Sequence, residues 1–139
     1  MIEVLLVTNS AQNIRIAWRH FCTDDYNAVS AVNNDEAVKA LVNRKSKVIP
    51  VFYCGNDPDC FIDFYRKLRA EKKTADTPLV VLADAKWTKA LSEYVHLKNT
   101  HVIGVTVNGA KLLDVMKTAA AGGFEKAGAS RPAGQPGRR

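Results

Sequence analysis

The chain repeats one pattern from its first residues almost to its end: a short, nearly continuous apolar run, then a stretch whose apolar residues recur at helical spacing. Ile2-Glu3-Val4-Leu5-Leu6-Val7 is the first run, the signature of a strand covered on both faces. After Thr8-Asn9, Ser10 is placed to cap a helix with Ile14, Ala17, Trp18 and Phe21 on one buried stripe. A polar turn, Thr23-Asp24-Asp25, leads to a second strand over Tyr26 to Val32. Asn33-Asn34-Asp35 then ends that strand and caps a helix with Ala37, Val38, Leu41 and Val42 inward. Val48 to Cys54 reads as the third strand. Asp57 and Pro58 start the next helix, where proline at the first position sacrifices no hydrogen bond, and Phe61, Phe64, Tyr65 and Leu68 form its buried stripe. Leu79 to Ala83 is the fourth strand, followed by a helix carrying Trp87, Ala90, Leu91 and Tyr94. Val102 to Val107 is the fifth, and Asn108-Gly109 caps a last helix with Leu112, Leu113, Val115 and Met116 inward.

Strand–helix alternation with short connections predicts a parallel sheet, since parallel neighbours need crossovers and right-handed crossovers place helices on both faces. The predicted fold is a doubly wound, three-layer α/β sandwich of the flavodoxin-like kind. No glycine-rich phosphate loop follows the first strand, which favours the strand order 2-1-3-4-5. Pro50 conflicts with a central position for the third strand, because proline cannot donate to the ladder. Either pairing begins at Val51 or the strand is locally irregular.

The length of 139 residues suits one domain. Residues 1–120 are expected to form it. Residues 121–139 hold five glycines, two prolines and one large apolar side chain, Phe124, too little to offset ordering entropy, and are expected to be a flexible tail or linker. The net charge of +6 divides evenly: residues 1–120 carry 16 Lys/Arg against 13 Asp/Glu, and the tail carries Lys126, Arg131, Arg138 and Arg139 against Glu125. Apolar runs fall far short of the ~20 residues of a membrane helix, and the N-terminus has no basic-then-apolar leader pattern, so a cytoplasmic protein without a membrane span is expected.

Cys22, Cys54 and Cys60 contain no CxxC pair, so neither a disulfide framework nor a four-thiolate zinc site fits. Cys54 and Cys60 are near enough in sequence to raise a redox role, but neither sits beside a motif that lowers a thiol pKa. His20, His96 and His101 lack metal-ligand spacing. Trp18 and Trp87 read as packing residues. Asp57 and Asp84 read as helix starts rather than a cation pair.

In such a sheet the functional edge lies at the carboxyl ends of the strands. The stretch Phe61-Ile62-Asp63-Phe64-Tyr65-Arg66-Lys67-Leu68-Arg69, a polar turn, and Thr77-Pro78-Leu79-Val80-Val81-Leu82-Ala83-Asp84 resembles the third helix and fourth strand of the receiver domains of two-component response regulators. The resemblance extends over residues 1 to about 120 through the order and spacing of all five units. It implies two acidic residues after the first strand to hold magnesium, a phosphate-accepting aspartate at the end of the third, a Thr or Ser after the fourth and a Lys in the fifth. Clustered carboxylates bind a hard cation, and metal and lysine neutralise charge on the transferred phosphoryl group. Here those positions fall on Thr8 and Asn9, on Phe52 or Tyr53, on Ala83 and near Val105.

The reading that follows is a degenerate, non-enzymatic receiver without metal or cofactor, signalling through protein contact with a kinase, an output domain or a second copy of itself in a homodimer. By the same resemblance, the helix after the fourth strand, the fifth strand and the last helix supply the contact face, with Trp87, Tyr94, Lys98 and Lys111 as candidates. A second reading places a cyclic dinucleotide or other phosphate ligand on Arg131, Arg138 and Arg139, since guanidinium pairs with phosphate and stacks on guanine. Nucleic acid is not the expected partner. A third reading, a conventional phosphate-accepting regulator, requires a different alignment of the third strand.

Overall fold

The computed structural model describes residues 2–8, 11–31, 33–43, 47–54, 58–84, 86–87, 91 and 97–124. The described elements are β1 (Ile2–Val7), α1 (Ala11–Trp18), β2 (Tyr26–Ala31), α2 (Asn34–Asn43), β3 (Ile49–Cys54), α3 (Pro58–Ala70), β4 (Leu79–Ala83), β5 (Thr100–Gly104) and α4 (Gly109–Ala120), with a short 3-10 turn at Lys72–Thr74; most of the helix expected between the fourth and fifth strands lies outside the described residues. All neighbouring strands pair in parallel, in the order β2-β1-β3-β4-β5. The expected three-layer α/β architecture and strand order are therefore present.

Side chains of a strand alternate between faces, and the two cores follow that alternation. Val4, Leu6, Val51, Tyr53, Val80, Leu82 and Ile103 face one core with Ala17 and Phe21 at the end of α1 and Leu112, Val115 and Met116 of α4. Leu5, Val7, Phe52, Cys54, Val81 and Ala83 face the other with Ala37 and Val38 of α2 and Phe61, Phe64 and Leu68 of α3. All six residues of β3 and all five of β4 are buried. The Phe52 ring lies 5.5 Å from Phe61, edge-on, and 5.4 Å from Phe64, stacked. Burying each such ring contributes about 2–3 kcal/mol.

Helix starts follow their polar residues. Asn33 Oδ1 accepts from the amides of Asp35 (2.8 Å) and Glu36 (3.2 Å), and Asn108 Oδ1 accepts from that of Lys111 at 2.8 Å. These bonds satisfy amides that a first helical turn leaves unpaired.

Four expectations are corrected. Trp18 does not join the buried stripe of α1: it is 38% exposed while Ala17 and Phe21 fill the core, because the stripe needs only one residue of each adjacent pair. The fifth strand begins earlier than Val102, at Thr100, and ends at Gly104: Val105 N–H still donates to the Ala83 carbonyl (3.0 Å), and Val107 N–H then turns back to Gly104 (3.1 Å). Pro50 belongs to β3 opposite Leu5 of β1, whereas pairing with β4 starts at Val51, so pairing begins after the proline on one side of the strand only. Finally, packed structure continues past residue 120 to Phe124, which packs against the α1/α4 core. The proposed cap Ser10 lies outside the described residues.

Truncating a ring at the centre of the second core leaves a cavity that its neighbours cannot fill. Phe64→Ala is expected to lower unfolding stability by about 3–5 kcal/mol, read as a fall in the urea midpoint with little change in slope.

Candidate functional site

The carboxyl ends of the strands meet at one edge. Cys54 is paired with Ala83 and Ala83 with Gly104. Thr8 N–H donates to the Ala31 carbonyl at 3.2 Å, fixing the end of β1 to that of β2. Thr8 is 1% exposed, and its Oγ1 has no hydrogen-bond partner. Ala83 is fully buried beside Cys54, and Val105 is half-buried just beyond β5.

Phe52 and Tyr53 leave β3 on opposite faces. Phe52 closes the ring cluster with Phe61 and Phe64, whereas Tyr53 enters the α1/α4 core. Burial, then the nearby Asp84 carboxylate, then Cys54 raise the Tyr53 phenol above its ordinary value of 10.0. Burial of the neutral phenol costs little; ionising it beside a carboxylate costs more. Asp84 lies just past β4 and is half-buried. His20 is pulled below its ordinary value by burial, with the Val105 backbone acting the other way.

At the ends of β1, β3 and β4 the described side chains are thus a hydroxyl, two aromatic rings, a thiol, a methyl and the single carboxylate of Asp84. Magnesium is held by near-octahedral oxygen donors, usually from more than one carboxylate, and this described set does not fit it. Asn9 and Asp57 lie outside the described residues.

Three of the four candidate contact residues are described. Trp87 is half-buried against the α2/α3 core with its Nε1 buried and unpartnered, and the Lys86 ammonium sits 5.6 Å from its ring centre. It is a packing residue, as its helical spacing implied. Lys98 precedes β5 and pairs with Asp76 at 2.6 Å, which lowers the Asp76 carboxyl below its usual range through that bond. Lys111 is exposed in the first turn of α4. Tyr94 and the tail residues Arg131, Arg138 and Arg139 lie outside the described residues.

The opposite edge of the sheet carries residues that strand-end reasoning passes over. Arg69, near the end of α3, donates to the carbonyls of Thr74, Ala75, Thr77 and Lys98 and stacks over Tyr65 at 5.3 Å. Tyr65 Oη accepts from Lys98 N–H at 2.6 Å. Between α2 and α3, Lys67 bridges Asp35 (2.8 Å) and Asp63 (3.2 Å). Asn34 Nδ2 donates to Asp63 (2.9 Å) and to the Cys60 carbonyl (3.1 Å). The Asn34 bond first, then Lys67, holds the Asp63 carboxyl below its usual range. Several of these contacts, such as Asn34 to Asp63, Lys67 to Asp35 and Arg69 to Lys98, join segments far apart in sequence, and only the charge pattern on α3 hints at them. No group of three or more His, Cys, Asp or Glu among the described residues is arranged to hold a metal, and no described helix is long and apolar enough to cross a membrane.

No protein-family model matches the chain, and no curated protein sequence matches it. Solved structures do. The receiver domain of a sensor histidine kinase from Pseudomonas aeruginosa, described with magnesium coordinated in its active-site cleft, superposes with a TM-score of 0.67 at 15% identity, covering 86% of this chain and 98% of that one. A chemotaxis protein from Vibrio cholerae gives 0.67 at 16% identity over 86% and 98%. A response regulator receiver protein from Pseudomonas putida gives 0.64 at 19% identity over 84% and 96%. The fold is that of receiver domains.

Because folding raises the Tyr53 pKa, its contribution to stability holds below about pH 10 and is lost as pH rises beyond it. Tyr26 is raised likewise, by burial and then Asp25. In an absorbance titration Tyr53→Phe is expected to remove a late-ionising phenol, and Asp84→Asn to move the Tyr53 phenol to lower pH. An unchanged titration in both variants would refute the Tyr53–Asp84 pairing.

Proposed function

We propose that this chain is a receiver-like signalling module that does not accept phosphate on an aspartate at the end of β3 and that acts by contact with a protein partner in two-component-type signal transduction. The observation that carries the reading is the end of β3 itself. Phe52, Tyr53 and Cys54 are all buried there, at 1%, 6% and 0% exposure. A phosphoryl acceptor has to reach solvent, a metal and the incoming phosphoryl group together. An aromatic pair committed to two opposite cores does none of these.

Loss of that chemistry leaves the surface as the carrier of information. Lys111 on the first turn of α4 is exposed, and a basic group there favours encounter with an acidic protein face. The chemistry asked of the module is binding rather than catalysis. A cytoplasmic partner, a kinase or a second copy among them, is consistent with the receiver fold. The tail arginines support a separate phosphate-binding reading through sequence alone, and nothing in the described residues favours it.

Incubation with acetyl phosphate and magnesium followed by intact-mass measurement is expected to leave the mass of the full chain unchanged. A stable gain of one phosphoryl group, mapped to Asp57 or any other aspartate, would overturn the proposal.

A further inference from the structure

Helix α4 stops in a defined way. Gly122 N–H donates to the Ala119 carbonyl (3.2 Å) and Gly123 N–H to the Thr118 carbonyl (3.2 Å), the paired bonds of a Schellman ending. Both glycines have positive φ, 139° and 110°, a region that other residues avoid. Lys47 Nζ donates to the Ala120 carbonyl at 2.7 Å and holds the same turn from the β3 side.

The next residues are keyed to β5. Asn99, just ahead of that strand, is buried and itself has a positive φ of 50°. Its side chain joins two separate segments: Nδ2 donates to the Asp76 carbonyl (2.9 Å), and Oδ1 accepts from the Phe124 amide. A Cβ on Gly123 would overlap the Asn99 carboxamide, so only glycine permits this approach. The Phe124 ring then lies against the His101 imidazole, centroids 5.2 Å apart and planes tilted by 36°. His101 faces Val80 across the ladder to β4. Lys111 of α4 is the only charged side chain bearing on it among the described residues.

We propose that Gly122–Phe124 is a latch on the edge strand β5, keyed by Asn99 and Gly123, and that its docking and the protonation of His101 oppose each other, so that acidification opens it. A charged imidazole covered by a phenyl ring loses water and gains the repulsion of the Lys111 ammonium. Burial first, then Lys111, depress the His101 pKa below its ordinary 6.5. A depressed histidine contributes to docking above its free pKa, and that contribution is lost as pH falls through the two values. The latch also fixes Phe124 at the Asn99 end of β5. This inference concerns the end of α4 and stands apart from the reading of the strand-end pocket.

The test is an NMR titration of the full chain, from neutral pH to about pH 5, the range in which a histidine changes charge. Contacts between the rings of His101 and Phe124 are expected at neutral pH and lost with the same midpoint as the His101 titration. In Gly123→Ala, which lacks room to dock, and in Phe124→Ala, which keeps the glycines, the His101 midpoint is expected to rise toward 6.5. Phe124→Ala removes only a ring at the domain margin, so it remains informative if Gly123→Ala folds poorly. Ring contacts that persist unchanged after His101 is protonated, or a His101 midpoint in Phe124→Ala equal to or below that of the unaltered chain, would overturn the proposal.

Discussion

The placement of β3 is the constraint on which the rest of the structure depends. It lies between β1 and β4, and its six residues, Ile49-Pro50-Val51-Phe52-Tyr53-Cys54, are all buried. A strand in that position has no solvent face, so every side chain must suit one of two apolar cores. Phe52 suits the α2/α3 core by meeting Phe61 and Phe64, and Tyr53 suits the α1/α4 core. The same alternation that builds the sandwich therefore decides the chemistry of the strand end. A carboxylate at either position would face an apolar core, where an unpaired charge is not tolerated unless it neutralises or finds a partner. The likeness to receiver domains lies in the backbone path, and the side chains at the end of this strand are spent on packing.

The two edges of the sheet solve different problems. At the carboxyl edge, backbone bonds such as Val105 N–H to Ala83 and Thr8 N–H to Ala31 hold the strand ends level, and the described side chains at the ends of β1, β3 and β4 are mostly buried. At the amino edge, loops have to be tied, and polar side chains tie them: Arg69 to four carbonyls, Asn99 to Asp76 and Phe124, Tyr65 to Lys98. A guanidinium that satisfies several buried carbonyls removes desolvation costs that would otherwise be paid separately. Among the described residues polar ties also occur at the helix starts on the other side, where Asn34 donates to Asp63 and to the Cys60 carbonyl.

What was legible in the sequence follows the range of the interactions. Strand runs, helix stripes and caps such as Asn33 and Asn108 are local, and their residues lie within a few positions of the groups they serve, so periodicity and capping chemistry found them. Strand order was legible through a rule about crossovers. Trp18 was misplaced because helical spacing defines a stripe but not its width, and Ala17 with Phe21 sufficed to fill it. The glycines at 122 and 123 read as the start of a loose tail by composition. In the structure they are a helix ending whose partner, Asn99, is more than twenty residues upstream, and nothing local announces that pairing. Arg69 escaped notice for the same reason: its work is done on carbonyls, which every residue possesses and no pattern marks.

At the carboxyl ends of the strands the described side chains are mostly committed to packing. A metal-assisted transfer site needs several oxygen donors converging on a cation, with charge close to solvent. Among the described residues here, Asp84 stands beside a buried phenol whose ionisation it opposes, and Thr8 presents a buried hydroxyl without a partner. Both arrangements favour neutral groups. A switch driven by adding charge at that point would have to disrupt the packing of Tyr53 and Phe52 on both faces of the central strand, and with it the cores that define the fold. The edge strand differs: His101 there is only half-buried, and burial and Lys111 oppose its charging without involving β3.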